Sequence, residues 1–181
     1  MNPYNAWGSG DAQPPSVFGA LPFTQQSGML VYTFSYNTDV TNSIVLGLGN
    51  TAQFEVTTES GRYTLLKTPG AGGRAIALVE WGQPPQVEVR DYVVKQPVSS
   101  FLRLSQDRSH RIMFYRNRQF TWVPTGNAIS VRFSHHTELL ARISQNGRAI
   151  TLEIAQSAAQ AGMLYMCLIS TILLQSGRSI D

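Results

Sequence analysis

The chain reads as a mainly β protein: an antiparallel barrel of about twelve strands closed around one hydrophobic C-terminal helix. Three observations predict this. Short runs of alternating apolar and polar residues recur from Met29 onward, the period-2 signature of half-buried strands. Turn residues separate those runs at the short, regular spacing of sandwiches and barrels. Finally, the last twenty residues, Gly162–Asp181, carry seven unbroken apolar residues from Met163 to Ile169, continued by Ile172–Leu174.

Residues 1–27 are rich in Pro, Gly, Ser, Gln and Asn and almost free of charge, so they read as an extended or disordered leader. Within it, PPSVFGALPF (Pro14–Phe23) is apolar enough to be tethered to the domain surface. Residues 28–181 read as one domain, a size that buries roughly two thirds of its unfolded surface without staples. The single cysteine, Cys167, rules out an internal disulfide framework.

The strand-like runs follow in order. MLVYTFSY (29–36) places Leu30, Tyr32, Phe34 and Tyr36 on one face. AQFEVTTE (52–59) sets Phe54 and Val56 against Glu55 and Thr57, and RYTLLK (62–67) pairs Tyr63 with Leu65. RAIALVEW (74–81) is apolar on both faces, which predicts cover on both sides. QVEVR (86–90), AISVRF (128–133) and RAITLEI (148–154) alternate cleanly. Residues 110–123 read as a hairpin turning at Arg116-Asn117-Arg118, and PVSSFLRL (97–104) suggests one helical turn. Gly70–Gly73, Gly82 with Pro84-Pro85, and Asn146-Gly147 supply further turns, the last a type I′ signal.

The final element has its own punctuation. Ser157 and Gln160 form an S-x-x-Q capping box that starts a helix near Ala158, and Gly177 is a natural stop. The core helix is therefore expected over about 158–176. Between those ends the helix is apolar around its circumference, which requires burial. Its strictly apolar run, Ala161–Leu174, is 14 residues, whereas a bilayer span wants about 20. A core helix is the reading adopted. A tail anchor is the runner-up, because the uncharged interval runs from Ile154 to Gly177.

Charge is unevenly spread. Residues 1–89 carry three basic and six acidic groups, residues 90–181 eleven and five, and twelve of the fourteen basic residues are arginine. Arginine's planar fork suits phosphate and carboxylate, so an anionic partner is the natural candidate. The densest group is Arg103, Arg108, Arg111, Arg116 and Arg118, with His110 beside it and only Asp107 opposing. Such a cluster can hold lipid-headgroup phosphates or a nucleic-acid backbone. The alternative is a solvated β surface whose arginine stems cover apolar neighbours.

Other constellations read as structural. Phe114, Tyr115, Phe120 and Trp122 interleave with the arginines like a stacking platform, but strand alternation sends about half of them inward, and nucleic acid is not expected. His135-His136 lack a Cys or carboxylate at ligand spacing, so no metal is expected. Asp107, Ser109 and His110 crowd triad residue types into four positions without a nucleophile elbow. Glu80 and Glu88 can face each other across a hairpin, but a working carboxylate pair also needs a cleft, and Gly70–Gly73 lacks the helix of a phosphate loop. Cys167 reads as an inert packing group. No catalytic, cofactor or metal residues are expected. The start of the chain shows no secretory signal and no myristoylation glycine, and its end no prenylation box, so an intracellular, cytoplasmic location is expected.

Strands first and one hydrophobic helix last resembles the tubby C-terminal-like superfamily, which includes the tubby domain, the phospholipid scramblases and the LURP-one-related proteins. More closely, the chain resembles a family of mushroom-forming (basidiomycete) fungi catalogued as a domain of unknown function. The match is carried by PPSVFGALP (14–22), RAIALVEWGQPPQVEVR (74–90), FLRLSQDRSHRIM (101–113), FTWVP (120–124), ELLARIS (138–144) and LLQSGRSID (173–181). The resemblance implies a barrel with a helical core and, by way of tubby domains, binding of phosphoinositide headgroups through surface Lys and Arg. No tubby lipid-binding motif matches residue by residue, and no scramblase calcium run precedes the last helix, so no site residue carries over. The expected function is a non-enzymatic binding or adaptor module, peripheral on anionic phospholipid through the arginine-rich surface. A protein-interaction module using the leader or a strand edge is the alternative. An enzyme with an unrecognised site is the third.

Overall fold

Thirteen strands form among the described residues of the computed structural model, which are 28–36, 38–133, 138–147 and 149–181. The leader, including Pro14–Phe23, and the His135-His136 pair lie outside them. The strands are β1 (Met29–Tyr36), β2 (Ser43–Leu46), β3 (Ala52–Glu59), β4 (Tyr63–Lys67), β5 (Ala75–Glu80), β6 (Gln86–Val89) and β7 (Val93–Pro97). After one helical turn, α1 (Val98–Phe101), come β8 (Arg103–Leu104), β9 (Arg111–Tyr115), β10 (Arg118–Thr125), β11 (Ala128–Phe133), β12 (Leu139–Asn146) and β13 (Ala149–Ala155).

All thirteen belong to one antiparallel sheet, in the order β7-β6-β5-β4-β3-β2-β1-β13-β12-β11-β10-β9-β8. Neighbours in sequence are neighbours in space, except that β1 pairs with β13 (Phe34 opposite Ile150) and β7 does not pair with β8. The alternation read from the sequence sets this register, because one face is buried: Phe34, Val45, Val56, Leu66, Val79, Val87, Trp122, Val131, Ile143 and Leu152 all point inward.

Hydrogen bonds do not close the barrel, contrary to expectation. The edges are β7 and β8, and only Val98–Leu102 separates them in the chain. That segment makes a helical turn, the Leu102 amide donating to the Val98 carbonyl at 2.8 Å, and its backbone is thereby taken from the ladder. It buries Val98, Phe101 and Leu102, and packs against β6, β7, β8 and β9. Side chains of α1 therefore bridge the seam that the ladder leaves open. RAIALVEW is a milder departure: β5 buries Ile76, Ala77 and Val79 but leaves Leu78 only half-buried.

The interior is filled by α3 (Leu164–Gln175). Every residue from Met166 to Leu173 is buried, which decides between core and anchor: the apolar circumference meets strands. The whole helical segment Gln156–Gln175 has the length and hydropathy of a membrane span, so length alone does not separate the two. The polar interruptions are accommodated locally. Thr171 donates to the Cys167 carbonyl one turn back at 2.8 Å, and the Ser170 hydroxyl faces the Met113 sulfur at 4.0 Å.

The start of this element departs from the capping-box prediction. Helical backbone begins at α2 (Gln156–Ala158), passes through a wide π turn over Ala159–Met163, and becomes regular at Leu164. No side chain caps it, because β13 runs straight into the helix and the Gln156 amide donates instead to the Gly28 carbonyl at 2.6 Å. Gly162 breaks the helical path with φ +85°. At the other end Gly177 takes φ +69°, as a helix stop requires. The tail then lies over the barrel's far end. Arg178 donates to the Gly61 carbonyl at 2.7 Å and sits 4.8 Å from the Trp81 ring, while Asp181 accepts two bonds from Arg111.

Candidate functional site

The five arginines lie on β8, β9, β10 and their turns, but they do not form one patch. Arg103, Arg108 and Arg111 stand at the end of β9 where α3 finishes; Arg116 and Arg118 stand at the opposite end, where the chain enters the helix. Arg111 is occupied. Its guanidinium grips the Asp181 carboxylate at 2.9 and 2.7 Å and also donates to the Leu102 carbonyl at 2.9 Å. This pairing holds the Asp181 carboxyl below its ordinary range, with Arg108 adding to the effect. Arg103 and Arg108 are exposed. The cavity beside them, lined by Arg108, His110, Arg111 and Trp122, holds only about 140 Å³.

The helix-entry end is different. Arg116 and Asn117 both take positive φ (48° and 59°), making a two-residue turn of the type that matches strand twist, with Tyr115 opposite Arg118 closing it. The tight turn throws both arginines to the same end of the molecule. Arg116 lies 5.2 Å from the Tyr115 ring and reaches the Ala161 carbonyl at 3.3 Å; Arg118 lies 5.8 Å from the Phe133 ring. Neither arginine makes an ion pair among the described residues.

Between this hairpin and the helix entry runs a cleft of about 500 Å³. Its lining is largely apolar, with Phe120, Phe133, Leu140 and Met163, and the exposed Arg116, Arg118, Glu138 and Ser157 border it. Tyr115 also lines it. That side chain is only 6% exposed, and its hydroxyl is buried without a hydrogen-bond partner among the described residues. Burial pushes the Tyr115 hydroxyl's pKa up, against the opposing pull of Arg116. The reason Tyr115 can sit there is Gly162, where a Cβ would lie 2.8 Å from the hydroxyl.

A chain of rings supports this end: Tyr32, Phe54, Tyr165, Tyr92 and Tyr115 follow one another at centroid distances of 6.2, 6.1, 5.6 and 6.2 Å. The chain links β1 to β9 around the base of α3. Edge and tilted contacts of this kind stiffen a wall without closing it.

The other sequence candidates resolve into structure. Ser105 and the Ser109 amide and hydroxyl hold the Asp107 carboxylate, depressing it to about 2, and the Ser109 hydroxyl also meets His110 Nδ1 at 2.8 Å. The same Nδ1 lies 3.9 Å from Asp107, so one nitrogen faces both neighbours and no relay runs from carboxylate through imidazole to hydroxyl. Glu80 pairs with Lys95 at 2.6 Å and Arg62 at 3.6 Å, and lies opposite Gln86 rather than Glu88. Lys95 foremost keeps the Glu80 carboxyl low, the wrong direction for a proton donor. Burial pushes the Cys167 thiol up to about 12. No cluster of three His, Cys, Asp or Glu stands at metal-binding distance among the described residues.

Sequence reading singled out Arg116 and Arg118 but not the cleft they guard. Of the interleaved aromatics, Tyr115, Phe120 and Trp122 are buried and only Phe114 is exposed. Glu138, Leu140 and Met163 join the site from distant strands and the helix, which no local spacing announces. The one available signal was Gly162, a glycine inside an apolar helical run, since such a residue marks a break or a close approach. No family model, curated protein or solved structure matches the chain, so a functional reading rests on this geometry.

Proposed function

We propose that this protein is a non-enzymatic binding module that docks peripherally on anionic phospholipid surfaces, with Arg116 and Arg118 making the headgroup contacts. The observation that carries the reading is the pair of guanidiniums, neither in an ion pair among the described residues, beside a largely apolar cleft at one end of the molecule. A membrane presents that same juxtaposition, phosphate outside and hydrocarbon within. Each basic residue held near such a surface contributes about 1 kcal/mol, which fits a peripheral and reversible contact. The resemblance to phosphoinositide-binding tubby domains agrees in kind. Nucleic acid is less well served, because three of the four neighbouring aromatics are buried and offer no faces for stacking. Asp107 and Glu80, the carboxylates a sequence reading would test for acid-base chemistry, are engaged in a serine-rich turn and an ion pair.

Co-sedimentation with phosphatidylcholine vesicles, with and without phosphatidylinositol bisphosphate, tests the reading. Wild type should pellet only with the anionic vesicles and lose binding as salt rises. Arg116→Glu with Arg118→Glu should abolish it. Equal binding by that variant, or none by wild type, ends the proposal.

A further inference from the structure

We infer that the cleft beneath Arg116 and Arg118 takes a single-chain anionic amphiphile, an alkyl chain ending in a phosphate or carboxylate, with the Tyr115 hydroxyl as the donor waiting for its anionic end. The inference rests on the lipid-surface reading and specifies what enters the site.

Four observations converge. The volume, about 500 Å³, falls within the ~300–1,000 Å³ of ordinary small-molecule sites. The walls contributed by Phe120, Phe133, Leu140 and Met163 carry no hydrogen-bonding side-chain group except the weak thioether sulfur, and so ask for hydrocarbon. Two guanidiniums without ion pairs among the described residues ask for an anion, and the lining carboxylate, Glu138, belongs to the β12 side rather than to the arginine hairpin. The decisive group is Tyr115. A buried hydroxyl with no partner among the described residues is destabilising in the free protein; Thr57 Oγ1 and Trp122 Nε1 share that state, and Tyr115 is the one of the three residues that lines this cleft. Gly162 gives it room: any side chain there would crowd the hydroxyl at 2.8 Å and approach the Arg116 guanidinium at 3.7 Å. The Tyr115 hydroxyl and the Arg116 guanidinium thus lie within 2.8 and 3.7 Å of one point, the Cβ position left empty at Gly162, and the inference gives both donors to one oxyanion.

The chemistry makes graded demands. Each buried methylene is worth about a fourfold gain in affinity, so binding should climb with chain length until the walls are filled. A hydrogen bond to a charged acceptor accounts for about tenfold or more, so Tyr115→Phe should cost that much in affinity. The same substitution removes the orphan hydroxyl and should leave the free protein at least as stable as wild type. A purely structural tyrosine would show the opposite pair of effects.

The test is titration calorimetry on the full chain with inorganic phosphate, octyl phosphate, dodecyl phosphate and dodecanoate, each below its micelle threshold, alongside vesicle co-sedimentation. The expected result is at least about tenfold tighter binding of dodecyl than octyl phosphate, with inorganic phosphate weaker than both. Dodecanoate separates a free fatty acid from a phosphate-bearing lipid as the source of the head. Tyr115→Phe should weaken dodecyl phosphate about tenfold with no loss of melting temperature, and Ala161→Trp at the cleft mouth should block it. If vesicles bind while dodecyl phosphate binds no better than inorganic phosphate, the amphiphile inference is overturned and the headgroup reading stands. If neither binds, both fall.

Discussion

Gly162 shows how much of the site depends on single backbone positions. Its φ of +85° is a conformation that a side chain makes costly, by roughly 1–2 kcal/mol, and its missing Cβ leaves the room in which Tyr115 stands. Gly162→Ala should therefore lower stability by about 1–2 kcal/mol or more, read from the urea midpoint. Adding Tyr115→Phe should restore part of the loss, because it removes the atom the new methyl meets. An unchanged midpoint for Gly162→Ala would contradict the close approach. Asp107 makes a prediction of a different kind. Its folded carboxyl is depressed from 3.8 to about 2 by Ser105 first, then the Ser109 amide and hydroxyl. A depressed acid contributes stability that is complete above its unfolded pKa and disappears as pH falls through the folded one. Stability should therefore drop between about pH 4 and pH 2, and Asp107→Asn should flatten that part of the curve in acid titrations followed by circular dichroism.

At the scale of elements, α3 carries the fold. Leu168 is fully buried at its centre, so Leu168→Ala should cost about 2–5 kcal/mol, and Leu168→Lys should prevent folding, because a charge there has no partner. A Leu168→Lys protein that still folds with native near-UV circular dichroism would show that the helix is not the core. Much of this level was legible in the sequence. The runs 29–36, 52–59 and 128–133 have the bounds of β1, β3 and β11, and β3 buries Phe54 and Val56 as its alternation predicts, whereas β11 buries Ser130 beside Val131, next to a shift in its register. The helix was legible because nothing but burial explains a segment apolar all round. The capping box was misleading: Ser157 and Gln160 have the right spacing, but no side chain caps the helix, and the amide held at its start is that of Gln156, by the carbonyl of Gly28, a residue more than a hundred positions away. The Asn146-Gly147 turn is shifted from its expected place, as Asn146 stays in the ladder opposite Ala149. Closure was the larger miss, since only tertiary contacts decide whether α1 or a ladder spans the seam between β7 and β8.

At the scale of the whole molecule, the sequence presented five arginines within sixteen positions, while the fold sends them to opposite ends of β9. Strand length is what separates them. Five residues at about 3.3 Å each put one group beside the end of α3 and the other beside its entry. The linear cluster is therefore two surfaces. One has Arg111 neutralised by Asp181 over a cavity of about 140 Å³, and the other makes no ion pair among the described residues over a cleft of about 500 Å³. The account's central claim is that only the second end engages an anionic surface. Paired charge reversals measure this directly by vesicle co-sedimentation: Arg116→Glu with Arg118→Glu at one end, Arg103→Glu with Arg108→Glu at the other. The two variants carry the same net charge, so bulk electrostatics cannot distinguish them. The account predicts that the first loses binding to phosphatidylinositol bisphosphate vesicles while the second keeps most of it. Equal loss in both, or loss confined to the second, would contradict it.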